Sequence, residues 1–156
     1  MAGLSRPVFP ATWGPTEVAH ENSTAIARTR VDIDCVDLGA TRKRAVVAAR
    51  RLGVDLQRLH DVELAVAELL SNACEHGTAP TLRMAQVAGR LTIDVRNQAP
   101  QGAIPPVVDW KLPPPTATNG RGLAIIAAVA DDVTVRWIDV SPLPVVSVRI
   151  SFPLAR

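Results

Sequence analysis

The chain has 156 residues, 47% of them hydrophobic, which suits one compact domain with a substantial core. Its 17 basic and 15 acidic side chains leave a net charge of +2, so nothing in the balance calls for a direct nucleic-acid or membrane-surface partner. The longest apolar run, Leu123 to Ala130, is too short to span a bilayer, and no apolar segment of a signal peptide follows Met1; a soluble cytoplasmic protein is the expectation.

Residues 1 to 22 hold Pro7, Pro10, Gly14 and Pro15 without periodicity and read as a flexible tail, leaving 23–156 as the folded domain. Ala25, Ala27, Thr29, Val31 and Ile33 alternate with Ile26, Arg28, Arg30 and Asp32, the pattern of a half-buried strand. Asp37 or Thr41 can cap a helix that runs to Leu52 and stops at Gly53. This helix carries the basic cluster Arg42, Lys43, Arg44, Arg50 and Arg51, read as a solvated face that could also meet an acidic partner. Asp55 opens a longer helical segment ending at His76-Gly77. Leu82 and Met84, then Leu91, Ile93 and Val95, alternate with polar residues around Ala88-Gly89-Arg90, predicting an antiparallel hairpin.

Residues 98–119 contain six prolines and no period, which predicts a stiff, extended loop without secondary structure. An apolar helix over Leu123 to Ala130 follows. A last hairpin pairs Val133, Val135 and Trp137 with Val146, Val148, Ile150 and Phe152 across Ser141 to Pro144. The order lacks the regular strand–helix alternation of a doubly wound sheet. The fold class it predicts is α+β, a two-layer sandwich with a mixed, mostly antiparallel sheet and the helices on one face. Cys35 and Cys74 match no C-x-x-C or zinc spacing, and Cys74, inside a helical pattern, reads as a small core residue. His20 and His60 lack partners at metal-ligand spacing and read as surface residues.

On the long helix, Leu59, Val62, Val66, Leu69, Leu70 and Ala73 gather into one apolar arc. Glu68, Asn72 and His76 recur every fourth residue and line up along the edge of that arc, where a helix packed on a sheet meets the lip of a cleft. A carboxylate there can take a proton from a hydroxyl, and an amide oxygen one turn on is a suitable ligand for Mg²⁺, which keeps its waters and takes phosphate oxygens. Boundary polar residues at this spacing are also common on any amphipathic helix. Further on, Gly120-Arg121-Gly122-Leu123 places two glycines at the start of an apolar helix, where the backbone can approach an anion and free N–H groups and the helix dipole favour it. Glycines before helices also serve only to relieve strain.

Glu68-x-x-x-Asn72-x-x-x-His76-Gly77 resembles the N-box of the GHKL (Bergerat-fold) ATP-binding proteins with a histidine kinase-like ATPase domain. It is most similar to the anti-sigma factor serine/threonine kinases, and the resemblance covers about Ala25 to Leu154. It implies Glu68 as general base, Asn72 as ligand of Mg²⁺ and His76 as a supporting residue. Gly120, Arg121, Gly122 and Leu123 then resemble the G2 box that contacts the phosphates of ATP, and 98–119 stands where the family carries its ATP lid. Asn97 and Ala99 stand where the family has an Asp-x-Gly that receives the adenine. A neutral acceptor at Asn97 is weaker than a charged one by roughly 1 kcal/mol, at most about tenfold in affinity. Lys111 is the only basic residue of the lid, so no lid arginine is available for a γ-phosphate.

The resemblance implies an anti-sigma regulatory factor with two partners, a sigma factor and a STAS-domain anti-anti-sigma factor whose serine it phosphorylates. Such proteins commonly form homodimers, although no sequence feature here requires one. The alternative is a catalytically weak or inactive ATP-binding partner-switching module, which Asn97, Ala99 and the lysine-poor lid favour. A sensor histidine kinase fits less well because no phosphoacceptor helix precedes the fold, and related chaperones and topoisomerases need far more chain.

Overall fold

A computed structural model describes residues 25–116, 120–139 and 142–156 of the chain, with side chains from residue 27 onward. The tail with His20, residue Asn119 before the glycines, and Ser141 of the last hairpin turn lie outside the described residues.

Strand β1 spans Ala25–Val31, two residues short of the alternating pattern. The reason is a local turn: the Asp34 carboxylate accepts from the backbone N–H of Val36 (2.9 Å) and Asp37 (3.2 Å) and bends the chain. Helix α1, Leu38–Arg51, starts at Asp37, whose Oδ1 accepts from Ala40 N at 2.9 Å. Thr41, the other candidate cap, lies buried within the helix and accepts from Asp34 N at 2.9 Å instead. Gly53, at φ +86°, takes the left-handed conformation that ends the helix. Asp55 caps a short 3₁₀ turn, Leu56–Arg58, that leads into helix α2, Leu59–His76. Strands β2 (Thr78–Val87) and β3 (Arg90–Gln98) are joined by Ala88 and Gly89 with φ of 48° and 74°, the positive pair of a tight two-residue hairpin. Helix α3 spans Arg121–Val129, and β4 (Asp132–Ile138) and β5 (Val145–Pro153) form the last hairpin.

The five strands are ordered β1-β2-β3-β5-β4, and all four pairings are antiparallel. β3 and β4 do run in the same direction, as a mixed sheet would have them, but β5 inserts between them and pairs with both. Leu82, Met84, Leu91, Ile93, Val95, Val148, Ile150 and Phe152 meet Val62, Val66, Leu69 and Leu70 of α2 in one core. Burying each such side chain stabilises by about 1.5–3 kcal/mol, so the apolar arc of α2 fixes which side of that helix faces outward. Alternation along the strands sends Arg83, Asp94, Arg96 and Arg149 to the opposite, helix-free face. There the buried carboxylate of Asp94 accepts from Ser147 Oγ at 2.7 Å and pairs with Arg149 (3.3 Å) and Arg96 (3.5 Å). The result is the two-layer α+β sandwich. No described helix is long and apolar enough to cross a membrane.

Cys74 is not a core thiol. It is half-buried and forms a disulfide with the exposed Cys35, tying the β1–α1 turn to the last turns of α2. The helical pattern places Cys74 beside the apolar arc and not within it; the packing of α1 against α2 brings the turn that carries Cys35 over it, at a Cα–Cα distance of 5.7 Å.

Candidate functional site

Glu68 and Asn72 are half-buried and His76 is exposed along the outer edge of α2, held there by Leu69, Leu70 and Ala73 in the core. The first turn of α3 packs directly on this line. A Cβ on Gly122 would fall on Glu68 Oε2 and lie 3.2 Å from its Cδ, so glycine here leaves the Glu68 carboxylate in place, where a larger residue would push it aside. Gly120 precedes the helix at φ +86°, the left-handed conformation that admits glycine readily, and among the described residues no side chain caps the helix start. The first-turn N–H groups and the positive end of α3 therefore sit beside the Glu68 carboxylate, on an edge that also carries Asn72 one turn away.

The other end of α3 is fixed by Arg58, which the sequence reading passed over. Its guanidinium donates to Val129 O at 2.6 Å, pairs with Asp61 and Asp131 at 2.8 Å each, and stands 5.5 Å above the Phe152 ring. Hydrogen bonds to Asp131 and then Asp61 raise its already high pKa, so it is a permanent cation. Asp131 also pairs with Arg90 at 3.3 Å. Arg58 thus ties the last turn of α3 to the start of α2, while Gly122 seats the first turn against Glu68. Leu123 packs against the core and helps seat the first turn.

Asn97 lies near the end of β3 with only 5% of its surface exposed. It stands against Gly77: a Cβ there would overlap the Asn97 amide and sit 2.6 Å from Gln98 O. The backbone at Gly77 is extended (φ −153°), so this glycine serves close approach and not an unusual conformation. The end of the His76-bearing helix and Asn97 are thus one contact. Ala99 is 1% exposed, belongs to the core, and its N–H donates to Pro144 O at 3.1 Å.

Arg121 is exposed and reaches back along the loop, donating to Pro115 O at 3.2 Å. His76 keeps 57% of its side chain exposed, with Nε2 3.8 Å from the carboxylate of its neighbour Glu75. The described part of the loop, 98–116, departs from the stiff, extended form its prolines predict. A 3₁₀ turn spans Val107–Asp109, Ile104 and Trp110 are buried in the core, and Trp110 Nε1 donates to Pro105 O at 2.8 Å. The sequence carries no sufficient signal for this anchor, since Leu112 and Val108 of the same proline-rich segment are equally apolar and each 74% exposed. Lys111 beyond it is exposed. Among the described residues no three His, Cys, Asp or Glu side chains converge as metal ligands. That does not bear on a Mg²⁺ held by one amide oxygen, phosphates and water.

The structure thus joins Glu68 to Gly122 and Gly77 to Asn97, contacts between segments far apart in sequence. No curated protein matches the chain. A family model described as a histidine kinase-like ATPase domain matches residues 31–142, a span that runs from the end of β1 past α3 and holds all the motif residues. The chain accordingly belongs to the histidine kinase-like ATPase domain family, the GHKL type of ATP-binding domain.

Proposed function

We propose that this ATP-binding domain works as an anti-sigma regulatory factor and serine/threonine protein kinase in the cytoplasm, acting on a STAS-domain antagonist and holding a sigma factor as its second partner. The observation that carries the reading is the contact of Glu68 with the glycine-opened first turn of α3, which puts a carboxylate and a helix N-terminus side by side. The donor set suits a Mg-nucleotide: N–H groups and a helix dipole for phosphates, and an amide oxygen at Asn72 for the metal. Bound Mg²⁺ would supply neutralisation of phosphate charge. Glu68 accepts the proton of the incoming serine hydroxyl as its oxygen bonds to the γ-phosphorus and the bond to ADP breaks. The N–H groups behind Gly120 and Gly122 orient the phosphates, and Asn97 offers its amide to the adenine. His76 and Arg121 stand at the two rims, and Leu123 and Ala99 give the apolar backing. A homodimer is compatible with this role.

A second reading, a regulatory ATP-binding module without turnover, is favoured by one specific feature. The lid has a single basic residue, and Arg121 already donates to the lid carbonyl of Pro115. Incubation with Mg-ATP and STAS-domain proteins distinguishes the two. Serine phosphate formed by wild type and not by Glu68→Ala supports the kinase; calorimetric binding of ATP without transfer to any partner supports the module. Asn72→Ala binding Mg-ATP as tightly as wild type would remove the site assignment.

A further inference from the structure

The basic cluster of α1 has no part in the site above, and the structure divides it. Arg42 turns toward α2, 3.5 Å from Glu63. Lys43, Arg44 and Arg51 instead line a groove of 610 Å³ between α1 and β1, which Arg28, Arg30 and Asp32 close from the strand side; Arg44 donates to Asp32 O at 2.9 Å at one end of it. None of Glu68, Asn72, His76, Asn97 or Gly120 to Leu123 contributes to this groove.

Three features define what fits there. First, β1 is an edge strand: it pairs with β2 alone, and among the described residues no backbone hydrogen bond is made by its other side. Such an edge is a template for one more strand. Second, Lys43, Val47 and Arg51 follow one another at four-residue spacing along α1, so an exposed apolar residue (48% accessible) is flanked by a cation one turn to each side. Third, Val31 points to the helices while Arg28 and Arg30 alternate to the other face. An added strand therefore meets Val47, flanked by Lys43 and Arg51, with its helix-facing residues and the two arginines with the others. Among the described residues Arg28, Lys43 and Arg51 have no anionic partner, whereas Arg30 has Asp32 at 3.4 Å.

Edge protection against aggregation accounts for charges on β1 itself, but not for Lys43 and Arg51 lining the same groove from a helix, to either side of an exposed valine. A second copy of the chain paired through β1 would set arginine against arginine, which destabilises the pairing. A nucleic acid has no alternating N–H and C=O to pair with a strand edge, and no aromatic residue lines the groove as a stacking platform.

We propose that the groove between β1 and α1 is a docking site for an extended acidic peptide segment of a partner protein, which adds a strand to β1 with alternating acidic and apolar residues. Association is electrostatically assisted and weakens with salt. This site is separate from the nucleotide site and does not rest on the kinase reading.

The test uses the full chain and a fluorescein-labelled, capped seven-residue peptide of alternating Glu and Val, matching the 7 residues of β1. Fluorescence anisotropy should show saturable binding, with slowed amide hydrogen exchange confined to β1. The double variant Arg28→Glu, Arg51→Glu, both exposed positions, should weaken binding by about tenfold without altering the circular dichroism spectrum. Methylating alternate peptide nitrogens should abolish binding. Equal binding of a block peptide (Glu residues, then Val residues) or of the methylated peptide overturns the strand-addition proposal. So does tighter binding of oligo-dT than of the acidic peptide, or absence of any binding.

Discussion

Gly77→Ala is the most informative single substitution, because it asks whether the end of α2 presses on Asn97 as closely as the structure shows. The new methyl would lie 2.6 Å from the backbone oxygen of Gln98 and overlap the buried Asn97 amide. An ordinary C···O contact is about 3.3 Å or more, so β3 and the helix end must separate by roughly 0.7 Å or Asn97 must leave its place. Neither the Gln98 carbonyl, held in the β3–β5 ladder opposite Val145, nor an amide at 5% exposure moves freely. Overpacking of this kind costs about 1–3 kcal/mol. For a chain of this length that lowers Tm by roughly 4–8 °C at the middle of the range. Since φ at Gly77 is extended, alanine carries no backbone penalty there, and the whole loss reports on space. Gly39→Ala is the matched control: its Cβ would sit 3.5 Å from Oδ1 of the N-cap Asp37, an ordinary contact, and at the second position of α1 helix propensity should stabilise the chain by about 0.5 kcal/mol, less than in a helix interior. Differential scanning calorimetry should therefore show shifts of opposite sign. Calorimetric titration with Mg-ATP well below the transition should show weaker binding for Gly77→Ala only, as Asn97 is displaced. A Gly77→Ala protein that melts at or above wild type would refute the close contact.

Reduction of Cys35–Cys74, which closes a loop of 39 residues, should lower unfolding free energy by about 4 kcal/mol on chain-entropy grounds. Urea denaturation with and without dithiothreitol measures this, and Cys35→Ser should match the reduced wild type; an unchanged midpoint would show that the bridge adds nothing. Arg58→Ala removes the cation shared by Val129 O, Asp61 and Asp131 and should cost about 2 kcal/mol, since partial exposure lets water replace some of the bonds. Arg58→Lys should recover less than half of that loss in the same urea assay, because an ammonium cannot span three acceptors in fixed directions. Trp110→Ala should destabilise by about 3 kcal/mol in chemical denaturation if the lid is anchored in the core, and by almost nothing if it is not. Gly122→Ala, whose methyl would push the Glu68 carboxylate aside, should lower phosphoryl transfer at nearly unchanged stability, because the end of a flexible side chain yields more easily than backbone.

The sequence by itself determined the elements and the lines of chemistry along them. Period-two alternation marked β1 and both hairpins, and the arc from Leu59 to Ala73 gave α2 its buried face and so placed Glu68, Asn72 and His76 on its edge. These are local properties: burial repeats with the pitch of the backbone, and neighbours on one face are set by that pitch alone. Only the tertiary structure decided which distant segments meet. It put β5 between β3 and β4, Gly122 on Glu68, Gly77 on Asn97 and Cys35 on Cys74, and it turned two strand arginines and three helix cations into one groove. It also sank Ile104 and Trp110 of a proline-rich loop into the core. Periodicity tells which side of an element is buried but not against what. That depends on strand register and helix packing, which are fixed by shape complementarity over the whole core and leave no repeating signal in the chain.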